Sequence, residues 1–160
     1  MAYSVVTRER MTSESVAAAR LSAKYLPGGT ATAIENGNVV VIGSLVSGER
    51  ELYTVTTPTA TTALSLIGLV TTPEVMADER KKNLDEFRNE AGEIITIDKL
   101  FSGDVFSLTA EGFDGTPTLG YVVELKAGSK LNAVATLTSG STKVGTIIDN
   151  VNGKYAVQVV

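Results

Sequence analysis

The chain has no cysteine, no histidine and no tryptophan, and only four of its 160 residues are proline. Lack of cysteine removes disulfides, thiolate metal sites and thiol nucleophiles. Lack of histidine removes the Ser-His-Asp and Cys-His arrangements, the ordinary zinc sites and the commonest general base near neutral pH. Most routine hydrolase chemistry goes with them. Aromatics make up only 6% of the chain, which counts against a carbohydrate-binding module, a class that usually presents an exposed aromatic platform. Long apolar runs are also missing. Val39 to Ile42, and Leu64 to Val70 with its interruptions at Ser65 and Gly68, are too short to span a bilayer, and Met1 to Arg10 contains no apolar leader core. The expectation is a soluble, unprocessed chain without a membrane partner.

Basic charge is sparse as well. Net charge is −4, and the basic residues are scattered or sit beside acids, as in Asp78-Glu79-Arg80-Lys81-Lys82. A nucleic-acid platform needs a basic face to neutralise phosphates, so nucleic acid is not an expected partner. What is present is enough apolar material to fold: 43% hydrophobic against 20% charged residues, in a length suited to one domain with a true core.

Residues 1–29 differ in texture from the remainder, with Arg8, Arg10, Arg20 and Lys24 set among small and polar residues. Thr12 to Ser15 offers a start for a short helix through Val16 to Leu21, and Pro27-Gly28-Gly29 ends it. The apolar stripe is thin, so the segment reads as an N-terminal arm that gains order on a partner. Tyr3, Val5 and Tyr25 are candidate apolar anchors of this arm, and Arg8, Arg10 and Arg20 are candidate contacts to carboxylates of a neighbouring subunit.

From residue 30 onward the pattern is β. Thr30 to Ile34 and Val39 to Ile42 flank Glu35-Asn36-Gly37-Asn38, a hairpin signal because Asn-Gly tolerates positive φ at both turn positions. Leu52 to Thr56 alternates, and Leu64 to Val70 reads as a buried strand. The period then changes. Thr72-Pro73-Glu74 and Asp78-Glu79 both offer helix starts, Met76, Leu84, Phe87 and Ala91 can share one face, and Gly92 closes the run, so a helical insertion is expected near 73–91. Leu84 and Phe87 would be its anchors if it bound a partner, although packing on the sheet is the simpler role.

Six further apolar runs follow, from Ile94 to the C-terminus, separated by turns such as Ser102-Gly103-Asp104, Asp114-Gly115, Ser139-Gly140 and Asn152-Gly153. Short strands punctuated this often predict a mainly β protein, a compact barrel or sandwich spanning 30–160, with one short α-helix and an N-terminal arm.

The chemical candidates are few. Glu111, Asp114 and Asp149 lie near turns and would need to face each other to act as acid and base; turns themselves favour Asp. Asp98 and Asp104 bracket a short loop without the alternating oxygen ligands of a calcium site. Ser141 and Lys143 are two apart and would share a strand face, but no oxyanion arrangement accompanies them. No glycine falls in a phosphate-cradling pattern. The sequence therefore predicts no enzyme activity, no metal and no cofactor.

Three segments carry a family resemblance: Pro73-Glu74-Val75-Met76-Ala77-Asp78-Glu79-Arg80-Lys81-Lys82-Asn83-Leu84, Leu100 to Thr109, and Leu137 to Ile148. With the small size, the acidic charge and the Thr/Val/Gly-rich β region, they make the chain resemble the head-decoration (capsid cement) proteins of tailed bacteriophages. That resemblance implies a structural virion protein, made in the host cytoplasm and placed on the capsid surface. Its partner would be the major capsid protein, with self-association, often as a homotrimer, and with stabilisation by bridging neighbouring capsid subunits. The alternatives are a tail or fibre-attachment component and a carbohydrate-binding module.

Overall fold

A computed structural model describes residues 2–78, 80, 81 and 83–160. Its strands, in chain order, are β1 (Val6–Arg10), β2 (Arg20–Tyr25), β3 (Val39–Leu45), β4 (Leu52–Thr56), β5 (Ile67–Val70), β6 (Ile94–Lys99), β7 (Val105–Thr109), β8 (Phe113–Asp114), β9 (Val122–Glu124), β10 (Leu131–Val134), β11 (Lys143–Val151) and β12 (Lys154–Val159). The protein is mainly β, as the turn spacing predicts. Strands β2-β4-β3-β5-β6 form a closed barrel, and β1-β7-β12-β11-β9-β10-β8 form a curled seven-stranded sheet.

In the barrel, β2 runs parallel to β4, with Ser22 opposite Leu52 and Tyr25 opposite Val55, and antiparallel to β6, with Leu21 opposite Ile97. The interior is filled by Ala23, Tyr25, Ile34, Val40, Val55, Val70, Ile95 and Ile97. Space there is short: a Cβ on Gly68 would lie 3.3 Å from the Cβ of Ile97, which explains a glycine in the middle of an otherwise apolar strand.

Strand β5 is buried along its whole length. Its Val70 faces the barrel interior, whereas Ile67 and Leu69, with Val39 of β3, belong to a second core. That second core is completed by the inner face of the sheet, including Phe106, Leu108, Val123, Leu131, Ile147 and Val157. Alternate residues of β3 and β5 thus serve two cores, as the two-residue period of a strand allows. The barrel wall and the sheet are one packed unit, and Gly37, at φ 82°, lies against Leu108 so closely that a Cβ would collide with that side chain.

Four expectations need correction. The strands do not follow a division into an arm of 1–29 and a domain from residue 30. β1 is paired along β7, with Val6 opposite Leu108, and β2 is a stave of the barrel. The arm was inferred from local composition, but strand pairing is satisfied by partners distant in sequence. Between these strands the expected helix is replaced by two 3-10 turns, Thr12–Glu14 and Ala17–Ala19.

The helix near 73–91 is also absent among the described residues; only the 3-10 turn Leu84–Glu86 forms, and Glu79 and Lys82 of the expected helix lie outside those residues. Asn83 and Glu86 form a capping box around this turn, and the chain is extended again at Phe87. Helix is defeated there by a β-bridge: the N–H groups of Ile34 and Asn89 each donate to the other's carbonyl at 3.0 Å. Phe87 is buried while Leu84 is not, so the supposed apolar face is split.

The hairpin expected at Asn36-Gly37 is replaced by a turn between an isolated bridge at Ile34 and β3. Asn36 is buried and ties the turn to neighbouring chain: its Nδ2 donates to the carbonyl of Thr72 at 2.7 Å, and its Oδ1 accepts from the N–H of Thr72 at 3.2 Å. The Asn152-Gly153 turn does join two paired strands, β11 and β12.

Candidate functional site

The residues singled out for an arm are mostly engaged within the chain. Val5 is buried and exchanges two hydrogen bonds with Thr109, one to its hydroxyl at 3.0 Å and one from its N–H at 3.1 Å. Tyr25 is buried in the barrel, its hydroxyl 2.7 Å from that of Thr57. Arg8 and Arg20 converge on Asp98, which is wholly buried. Arg8 Nε forms an ion pair with Asp98 Oδ2 at 2.9 Å, Arg20 donates to Oδ1 at 3.5 Å, and the Thr71 hydroxyl donates to Oδ2 at 2.6 Å. Because Arg8 lies on β1 and Asp98 on β6, the cluster fastens the sheet to the barrel. Arg10 is exposed at the end of β1.

The other buried acids are likewise structural. Asp104 accepts from the N–H and hydroxyl of Thr12 at 2.9 and 2.7 Å and from the N–H of Phe101 at 2.9 Å, closing the β6–β7 turn onto the connection after β1. Glu124 accepts from the N–H and hydroxyl of Thr138 and from the Asn132 amide, each at 2.8 Å. Burial pushes its carboxyl up, but these donors, first the Thr138 N–H, and the nearby Lys126 charge outweigh burial and hold it below its ordinary value.

The three turn acids are not brought together. Asp114 is at the end of β8, where a 2.6 Å bond from Lys126 holds its carboxyl low. Asp149 lies on β11, and β10 and β9 stand between them. Three strand spacings amount to roughly 14 Å along the sheet, wider than the ~5–9.5 Å that separates paired glycosidase carboxyls. Glu111 presents its carbonyl to Lys130 Nζ at 2.7 Å. Among the described residues no group of three or more acids is arranged to hold a metal ion.

The surface that stands out is the connection from Thr71 to Glu93, between β5 and β6. Loops this long without regular structure are uncommon in compact domains and are usually functional when ordered. This one is fixed at several points: Asn36 holds Thr72, Phe87 is buried, and Asn89 bonds to Ile34. Between these anchors Val75 is 81% exposed and Leu84 49%, and Ile94, at the start of β6, is 57% exposed. A shallow depression there is lined by Val75, Met76 and Phe87 together with the charged Asp78, Lys81, Glu86, Arg88, Glu90 and Glu93.

Tyr3 joins this surface. Its N–H donates to the carbonyl of Asp85 at 2.8 Å, and its ring lies 5.3 Å beneath the Arg88 guanidinium, whose pKa is raised mainly by its bond to Glu90. Tyr3 therefore packs against the same connection that carries Leu84, although the two come from separate sequence candidates. The prominence of Val75 is missed by a sequence reading that places 73–91 in a helix. No family model, no curated protein and no solved structure matches the chain.

Proposed function

We propose that the protein is a structural component of a tailed-phage head, bound to the outer surface of the assembled capsid and bridging neighbouring capsid subunits. The observation that carries this reading is the Thr71–Glu93 connection, which displays Val75 and Leu84 between points where it is tied to the β framework at Thr72, Phe87 and Asn89. Exposed apolar side chains on anchored backbone lose little conformational freedom on docking, so their burial contributes to affinity with a small ordering cost. The segment Pro73 to Leu84, which resembles parts of uncharacterised phage virion proteins, falls on this same connection. The buried acids, by contrast, are occupied in holding the fold together.

Mixing the purified protein with expanded, undecorated capsids of the same genome and sedimenting them tests the proposal. Saturable binding at a fixed copy number per major capsid subunit is the expected result. Replacing Val75 and Leu84 together by Asp is expected to weaken it by about 2 kcal/mol or more, with the fold intact by circular dichroism. Absence of saturable binding by the unaltered protein overturns the proposal. Unaltered binding by the double variant, with wild-type binding present, overturns only the assignment of the surface.

A further inference from the structure

The chain has two Asn-Gly pairs, Asn36-Gly37 and Asn152-Gly153, and the fold treats them in opposite ways. Asn-Gly is the dipeptide most open to main-chain attack on the side-chain amide, because glycine offers no Cβ to obstruct its own nitrogen. For the reaction to proceed, the glycine N–H must be free and the asparagine amide must be able to turn toward it.

At Asn36 both conditions fail. The residue is 1% exposed. Its Nδ2 donates to the Thr72 carbonyl at 2.7 Å and to Glu74 at 3.3 Å, and its Oδ1 accepts from Thr72 and from Asn89, both at 3.2 Å. The N–H of Gly37 is also taken, donating to the Val70 carbonyl at 2.8 Å.

At Asn152 both conditions are met. Asn152 and Gly153 are exposed and form the two-residue turn between β11 and β12, with φ of 52° and 77°. Val151 and Lys154 are paired across that turn. In such a primed turn the closing hydrogen bond comes from the residue after the glycine, which leaves the glycine N–H directed to water. No hydrogen bond among the described residues holds the Asn152 amide. The acid counterpart, Asp114-Gly115, is held as a carboxylate by Lys126 at 2.6 Å, and an ionised carboxylate has no leaving group to lose.

We propose that Asn152 is a self-modification site, which deamidates slowly in the folded protein while Asn36 is protected. The Gly153 nitrogen, giving up its proton to solvent base, bonds to the Asn152 side-chain carbonyl carbon. The bond from that carbon to Nδ2 breaks, and Nδ2 takes up a proton and leaves as ammonia. Water then opens the succinimide at either carbonyl, giving aspartate or isoaspartate with no change of oxidation state. Either product adds a negative charge to a depression already lined by Glu9 and Asp149 beside Lys154. Isoaspartate also inserts a methylene into the backbone of a turn built for two residues, so the hairpin tip changes shape as the protein ages.

Peptide mapping by mass spectrometry, with enzymatic methylation to mark isoaspartate, tests this on the full chain incubated in mildly alkaline buffer. Modification is expected in the folded protein at Asn152, with Asn36 reacting only when urea unfolds the chain and the two rates converge. Asn152→Ala is expected to remove the isoaspartate signal of the folded protein. Equal rates at the two sites in the folded protein, faster reaction at Asn36, or an unchanged signal in the Asn152→Ala variant would each overturn the proposal.

Discussion

The barrel and the curled sheet meet the same problem, burying a polar group among apolar strands, in different ways. Asp98 of the barrel is opposed by two arginines, and one of them, Arg8, is supplied by the sheet. Glu124 of the sheet is opposed chiefly by neutral donors from its own neighbourhood, Thr138 and Asn132. Asp98 is answered both from its own barrel, by Arg20, and across the junction, by Arg8, whereas Glu124 is met chiefly by neutral donors. Parting sheet from barrel would take Arg8 away and leave the buried carboxylate with Arg20 alone, which makes separation of the two parts costly. An acid satisfied locally shapes one loop and leaves the junction alone. The parts also differ at their margins: the barrel has no free strand edge, whereas the sheet ends at β1 and β8.

The strongest way to break this arrangement is to delete residues 1–28, which removes β1 and the barrel stave β2 together. Complete loss of cooperative unfolding is expected by circular dichroism and urea titration; a truncated protein that unfolds cooperatively would show that the barrel closes without β2. Next in size is Phe106→Ala, in the core shared by both parts. A loss of about 3–5 kcal/mol is expected from urea denaturation, with amide exchange accelerating in the barrel as well as in the sheet. Acceleration confined to the sheet would mean that the parts are energetically separate.

Asp98→Asn is expected to cost on the order of 2–3 kcal/mol, less than a sealed ion pair because both arginines reach solvent in part. Arg8→Ala should produce a comparable loss if the link across the junction matters, and a negligible one if Arg20 suffices. Glu124 sharpens the contrast through pH. Its folded carboxyl is held below the ordinary value of 4.5, so its contribution is complete above that pH. It declines as pH falls toward the lower folded value. Glu124→Gln should therefore flatten the acid limb of the stability profile, and a mutant with the same acid limb as wild type would rule out this carboxyl as its source. The smallest effect is expected from Val75→Asp, within about 0.5 kcal/mol on stability, because the side chain is exposed.

Much of the architecture was legible in the chain. Turn residues such as Ser102-Gly103-Asp104 and Asn152-Gly153 separate strands as read, because turn chemistry acts over a few residues. Burial of Ile67 to Val70 agrees with the strand expected over Leu64 to Val70, but the first three residues of that run form the 3-10 turn Leu64–Leu66, with Leu66 exposed. The arm was misread because Val6-Thr7-Arg8-Glu9-Arg10 carries three charges, and neither the buried acid that Arg8 answers nor the Ser107 hydroxyl that donates to Glu9 at 2.8 Å is near in sequence. The helix was misread because Met76, Leu84 and Phe87 have helical spacing, while the bridge between Ile34 and Asn89 that sets the backbone there is non-local. For the candidate surface, Leu84 and Tyr3 were visible as possible anchors. Val75 was not, since it stands in a non-helical stretch where its N–H donates to the Pro73 carbonyl at 2.9 Å.

The placement of β1 also bears on the order in which the molecule is made. All five barrel strands have been synthesised once the chain reaches Lys99, but β1 pairs with β7, which begins at Val105. β1 precedes every barrel strand in the chain while its partner β7 follows them all, so it is expected to join the sheet after the barrel has formed. Contacts of such long sequence separation slow folding. Pulse-labelled hydrogen exchange during refolding should find β2–β6 protected before β1, and simultaneous protection would refute that order. In that order β1 is the latch that closes the sheet over a barrel already formed.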